Sequence, residues 1–132
     1  MALLLAACSA GLTDFDRGLA AYQAIRFEVA RPLLEKAAQA GNTDAMAIVG
    51  GMLVMGQGGT KDAVEGVQWL RLAAEAGNAS AQTLLGTLYA YGTGVAQSSD
   101  EAKRWLTLAL KQGDGKAAVL LNKLNGKTEQ AM

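Results

Sequence analysis

Residues 41–76 lie over residues 77–112 without a gap, and the two segments then share eleven identities. The matched pairs include Gly41/Gly77, Asn42/Asn78, Ala45/Ala81, Gly50/Gly86, Gly56/Gly92, Gly58/Gly94, Glu65/Glu101, Trp69/Trp105 and Leu70/Leu106. Average composition gives roughly two or three identities by chance over such a length. Self-similarity at this period means that one supersecondary unit has been copied and stacked, because a single unit cannot bury its own apolar face.

Each unit reads as helix, loop, helix, turn. The first helix is predicted over about Thr43–Met55 and again over Ala79–Tyr91, where Ala81, Leu84, Leu85 and Leu88 fall at the spacing of one buried stripe. Gly50 and Gly86 interrupt these helices at a cost of about 1 kcal/mol each against alanine, which points to close contact with a partner helix. Gly56-Gln57-Gly58 and Gly92-Thr93-Gly94 end the first helix. Asp62 and Ser98, each three residues before a glutamate, are predicted to cap the second. Gly77-Asn78 and Gly113-Asp114 then stop one helix and start the next.

Earlier residues make a variant unit: a helix over about Leu12–Ala24, a turn at Ile25-Arg26-Phe27, and a helix over about Glu28–Ala40 in which Pro32 is expected to cause a kink. A half unit follows at the other end, with Ala117 in register with Ala45 and Ala81. The expected architecture is therefore all-α: a right-handed α/α solenoid of antiparallel helix pairs with about seven helices. Its units are about 12–41, 42–77 and 78–113, with a capping helix 115–125 and a loose polar tail 127–132.

The pattern Ala81, Leu85-Gly86, Tyr89, Gly92-Thr93-Gly94-Val95, Ala102, Trp105, Ala109, Gly113, Ala117 resembles the Sel-one-like repeat family of bacteria, relatives of tetratricopeptide repeats with a longer loop inside each helix pair. The central unit departs from it at Leu53, Gly59 and Gly66. The resemblance covers about residues 12–121 and implies a non-catalytic adaptor, acting as a monomer, that binds a protein or peptide. By the same analogy, the inward face of the first helices would hold the partner. In the opening unit that selects Asp16, Ala20 and Gln23. In the next unit it selects Asp44, Ala47, Gly51 and Val54 with Met55 at the rim, and then Ser80, Thr83, Thr87 and Ala90 with Tyr91 at the rim. Such a groove would be shallow, mildly polar and without a basic clamp, suited to an extended peptide or a partner helix.

The other function classes find little support. Twelve basic and twelve acidic residues balance to zero and are scattered, unlike the basic stripe of a nucleic-acid binder. There is no histidine and one cysteine, so the chain offers no histidine general base or ligand and no internal disulfide, and we expect no cofactor or metal. No apolar run reaches the roughly 18 to 20 residues of a membrane span. Gly56-Gln57-Gly58-Gly59-Thr60-Lys61 follows a helix where a phosphate loop follows a strand, and Leu121 stands where a Walker loop ending Gly126-Lys127-Thr128 needs glycine. Asp14-Phe15-Asp16 lacks the later oxygens of a calcium loop, with Gly18 and Ile25 at ligand positions. Trp69 and Trp105 recur at one place in the repeat, which favours packing over ligand stacking. The alternative function is an exported penicillin-binding or lactamase-like enzyme, as some cysteine-rich members of the family look like such proteins. The chain carries no Ser-x-x-Lys, Ser-Asp-Asn or Lys-Thr-Gly.

The first ten residues, MALLLAACSA, are a possible truncated signal peptide. Leu5-Ala6-Ala7-Cys8 resembles a lipobox that would lipidate Cys8; cleavage after Ala10 and a plain apolar tail are the other readings. An export signal implies a periplasmic or outer-membrane-associated protein, and its absence a cytoplasmic one.

Overall fold

A computed structural model of the chain describes residues 11–130, with side chains through residue 126; the leader segment and Cys8 lie outside the described residues. The described residues form seven helices and no strand: α1 Asp14–Gln23, α2 Phe27–Gln39, α3 Thr43–Met55, α4 Ala63–Glu75, α5 Ala79–Tyr91, α6 Ser99–Lys111 and α7 Gly115–Gln130. Consecutive helices pack against each other throughout, and α3–α5 and α5–α7 also touch. That is the contact pattern of a helical-repeat solenoid, in which the first helices of successive units lie side by side.

Local chemistry sets the helix ends where the repeat predicted them. Asn42, Asp62, Asn78 and Ser98 each accept a hydrogen bond from the backbone N–H three residues on, satisfying a donor that the first helical turn leaves free. At α1 the cap is reciprocal: the Thr13 hydroxyl accepts from Asp16 N–H, and the Asp16 carboxylate accepts from Thr13 N–H. The second helices end at Gly41, Gly77 and Gly113, all at φ of 94° to 99°.

The core is made where a glycine of the first helix meets a leucine of the second. An added Cβ at Gly50 would lie 2.6 Å from Leu70 Cγ, and one at Gly86 would lie 2.8 Å from Leu106 Cγ, so each glycine lets its partner leucine nest against the backbone. Leu34, Leu70 and Leu106 are fully buried, each contributing about 1.5 to 3 kcal/mol of apolar burial. Two apolar clusters result, one around α1–α3 and one around α4–α7, and Met46 packs against both.

The seven-residue loops of the two full units tie each unit to the one before it. A Cβ on Gly58 would sit 2.3 Å from the carbonyl oxygen of Phe27, and one on Gly94 would sit 2.5 Å from that of Ala63, so each loop backbone rests on the start of the preceding second helix. Arg31 reinforces the first of these contacts by donating to the carbonyls of Gln57 and Thr60 while pairing with Glu35.

α2 runs as one helix through Pro32; the missing N–H costs one bond to the Glu28 carbonyl on an exposed turn, where water can replace it. One expectation is corrected. The tail is helical to Gln130, because Gly126 costs only about 1 kcal/mol and no proline follows to stop the helix.

Candidate functional site

The first helices present one continuous side of the stack, and the predicted partner-binding residues fall on it unequally. Asp16, Ala20 and Gln23 are exposed on α1. Asp44 is exposed, and its carboxylate accepts a 2.9 Å hydrogen bond from the Asn78 side chain of the next unit. Ala47 and Val54 are half-buried against the second core cluster, and Val54 fills the space beside Gly66. Ala90 is buried, at 7% exposure. These last three serve packing more than they offer an open surface.

Ser80, Thr83, Thr87 and Tyr91 descend α5 in order, and the structure brings them to the edge of two neighbouring clefts between α5 and α7. The first, of about 460 Å³, opens beside Ser80, Thr83 and Thr87 and is closed by Gln112, Asp114 and Lys116. The second, of about 500 Å³, lies at the far end of the same two helices, between Ala90, Tyr91 and Gln97 on one side and Leu120, Lys123 and Leu124 on the other. Tyr91 and Met55, the paired rim positions, are 66% and 69% exposed.

Hydrogen bonds hold the walls of the first cleft. Thr83 Oγ1 donates to Asp114 Oδ2 at 2.6 Å, and Asp114 Oδ1 accepts from Lys116 N–H, so both oxygens of that carboxylate are engaged. Thr87 Oγ1 donates to the Thr83 carbonyl. Beneath them Gln82, only 4% exposed, donates to the Ala74 carbonyl and accepts from Gln112, which locks α5 to the ends of α4 and α6. A fully satisfied buried polar network of this kind fixes geometry more than it adds stability.

The α7 wall is the part that the repeat analogy leaves out. Lys116, Leu120, Lys123 and Leu124 line the clefts, so a groove expected to have no basic clamp carries one lysine in each of its two clefts. The signal was present in the alignment of units, since Lys116 and Lys123 stand 36 positions after Ser80 and Thr87. Extending the inward-facing register one half unit further would have found them.

Elsewhere the chemistry is structural. Trp69 packs against the first core cluster. Trp105 is buried with its ring under the Arg104 guanidinium, 4.9 Å away, and among the described residues its Nε1 has no hydrogen-bond partner. The Thr13 hydroxyl and N–H both donate to Asp16 and hold its carboxyl below the usual aspartate range. Among the described residues no three His, Cys, Asp or Glu side chains gather in a way that could hold a metal ion, and no helix is long and apolar enough to cross a membrane.

Comparison with known proteins agrees with this architecture. A family model described as Sel1 repeat matches residues 28–42, 43–78 and 79–114, the boundaries falling at the unit junctions. Among solved structures, the chain is similar to a Sel1 repeat protein from Oxalobacter formigenes, with 32% identity and a TM-score of 0.77 over 84% of this chain. It is also similar to a protective antigen present in uropathogenic Escherichia coli strains displaying an SLR fold, with 33% identity and a TM-score of 0.74 over 76% of this chain. It spans 46% of the first of those proteins and 22% of the second. Cysteine rich protein B of Helicobacter pylori shares the fold at 21% identity, with a TM-score of 0.64 and coverage of 70% of this chain and 69% of that one. No curated protein matches the chain.

Proposed function

The chain belongs to the Sel1 repeat family, and from that premise we propose that it is an adaptor that holds an extended segment of a partner protein along the groove between α5 and α7. The Sel1 repeat fold is generally a protein–protein interaction module. The observation that carries the finer reading is the coincidence of two clefts with Ser80, Thr83, Thr87 and Tyr91, all on one helix of a rigid stack. A rigid wall with an exposed aromatic at its end loses little conformational entropy on binding, which favours an anchor role for Tyr91.

The test uses the full chain, immobilised, against proteins of the source cell. Ser80→Gln with Tyr91→Ala changes only exposed side chains and adds no charge, so helical content stays the same while specific capture, quantified by mass spectrometry, falls at least about tenfold. Capture identical to that of the unchanged chain sinks the reading.

The cell envelope is the compartment we propose for this adaptor, on the strength of the apolar leader and the lipobox-like Leu5-Ala6-Ala7-Cys8. Labelled palmitate should enter the protein and be absent from Cys8→Ser; a soluble cytoplasmic pool without label removes this part of the proposal. We propose that the adaptor works as a monomer, which light scattering checks directly.

A further inference from the structure

The α5–α7 groove differs in charge from the rest of the first-helix face, and the difference selects a class of ligand. Its α5 wall carries only uncharged groups: Ser80, Thr83, Thr87 and Tyr91. Its α7 wall carries Lys116 in one cleft and Lys123 in the other, both exposed. Among the described residues lining the two clefts the one acid is Asp114, and both its oxygens already accept hydrogen bonds from Thr83 Oγ1 and Lys116 N–H. The equivalent positions one unit earlier are Ser80 and Thr87, and two units earlier Asp44 and Gly51, so the cationic wall belongs to this groove alone. The chain as a whole has no net charge, so the preference is local.

We propose, building on the peptide-holding function above, that this groove selects extended peptides in which carboxylates flank a large apolar side chain. Lys116 and Lys123 are seven residues apart on α7, about 10.5 Å along the helix axis. Three residues of extended peptide cover about the same distance. The apolar side chain enters the cleft between Tyr91, Leu120 and Leu124, one carboxylate meets Lys123 at the rim of that cleft, and the other reaches Lys116 in the neighbouring cleft. Desolvated apolar contact supplies the anchor, and the rim charges supply selection and steering.

Random-peptide display on the immobilised full chain tests this. The selected peptides are expected to carry Asp or Glu within a few residues of Leu, Ile or Phe. A selected acidic peptide is expected to bind Lys116→Glu/Lys123→Glu about tenfold more weakly by fluorescence anisotropy, with a loss that shrinks as salt is raised. Display on that double variant should return Lys- and Arg-bearing peptides instead. Lys123→Gln, which removes charge without adding repulsion, should give an intermediate loss. Circular dichroism and a melting curve establish that each variant is folded. If the double variant selects the same peptides as the unchanged chain, or the unchanged chain selects neutral ones, the charge proposal fails while the groove reading stands. If Tyr91→Ala leaves peptide binding intact, or no peptide is enriched, both fail.

Discussion

The opening helix pair and the two full units solve the same packing problem with loops of different length. Leu34, Leu70 and Leu106 are 36 residues apart, yet their glycine partners Gly18 and Gly50 are only 32 apart. The missing four residues come out of the loop: α1 and α2 are joined by three residues, whereas α3–α4 and α5–α6 are joined by seven. The helix–helix contact survives, because Gly18 still lies within 2.8 Å of Leu34 Cγ as measured from an added Cβ. The short turn adds a conformational cost. Where Gly56 and Gly92 end the first helix at φ of about 70°, the short turn holds Ile25 at φ 60°, 74% exposed. A β-branched residue in that region costs about 1 to 2 kcal/mol. The contrast teaches that the register of the stack resides in the second helices and their glycine ends, while the loop inside a pair can shorten by four residues if one residue takes a strained conformation. What the longer loop adds is contact with the previous unit, at Phe27 for Gly58 and at Ala63 for Gly94.

The comparison can be broken at several points. Gly94→Ala should have the largest effect, a loss of about 3 kcal/mol or more, because it combines a left-handed φ of 69° with a backbone oxygen 2.5 Å away. Gly58→Ala should behave alike, and chemical denaturation reads both. Equal stability of either variant to the unchanged chain would mean that the loops do not bear on the preceding units. Next, Gly50→Ala should cost about 2 kcal/mol through overpacking, because the new methyl meets the Gly66 carbonyl as well as Leu70. Gly18→Ala should cost less, since its contacts are leucine side chains with no backbone carbonyl among them. A reversed order in thermal melts would remove the distinction between the pairs.

Ile25→Gly acts in the opposite sense and should stabilise by about 1 kcal/mol, relief of the left-handed strain outweighing the extra entropy of the unfolded glycine. A lower melting temperature would show that the exposed isoleucine has a compensating contact. The smallest effect is expected at the α1 cap. Asp16 is fully exposed and its folded pKa is depressed, so its contribution is present above the unfolded pKa and disappears as pH falls through the folded one. In Thr13→Ala the Asp16 titration, followed by NMR, should move up toward the ordinary aspartate value, with the shift confined to acid pH.

The binding face was less legible than the scaffold, for a reason visible in its residues. Inward-facing positions on α3 and α5 follow from repeat spacing, but spacing does not say which of them packing will consume. Val54 and Ala90 are equivalent by 36 residues and both turn out to face neighbours, one against Gly66 and the other under Gln97, which donates to its carbonyl. Asp44 and Thr83 are drawn into hydrogen bonds with the caps of the following units. Conversely, Lys116 and Lys123 stand on a half unit that reads as a cap in sequence and forms one wall of the groove in space.

The sequence by itself determined the repeat length, six of the seven helices to within a residue or two, the caps at Asn42, Asp62, Asn78 and Ser98, and the glycine stops. Each of these is governed by backbone chemistry within a few positions of the residue concerned. Tertiary structure alone decided where the clefts open and which polar side chains packing and hydrogen bonding consume. Those properties depend on α5 and α7 meeting in space although α6 separates them in the chain, and local periodicity holds no information about the distance between two surfaces until the helices are packed.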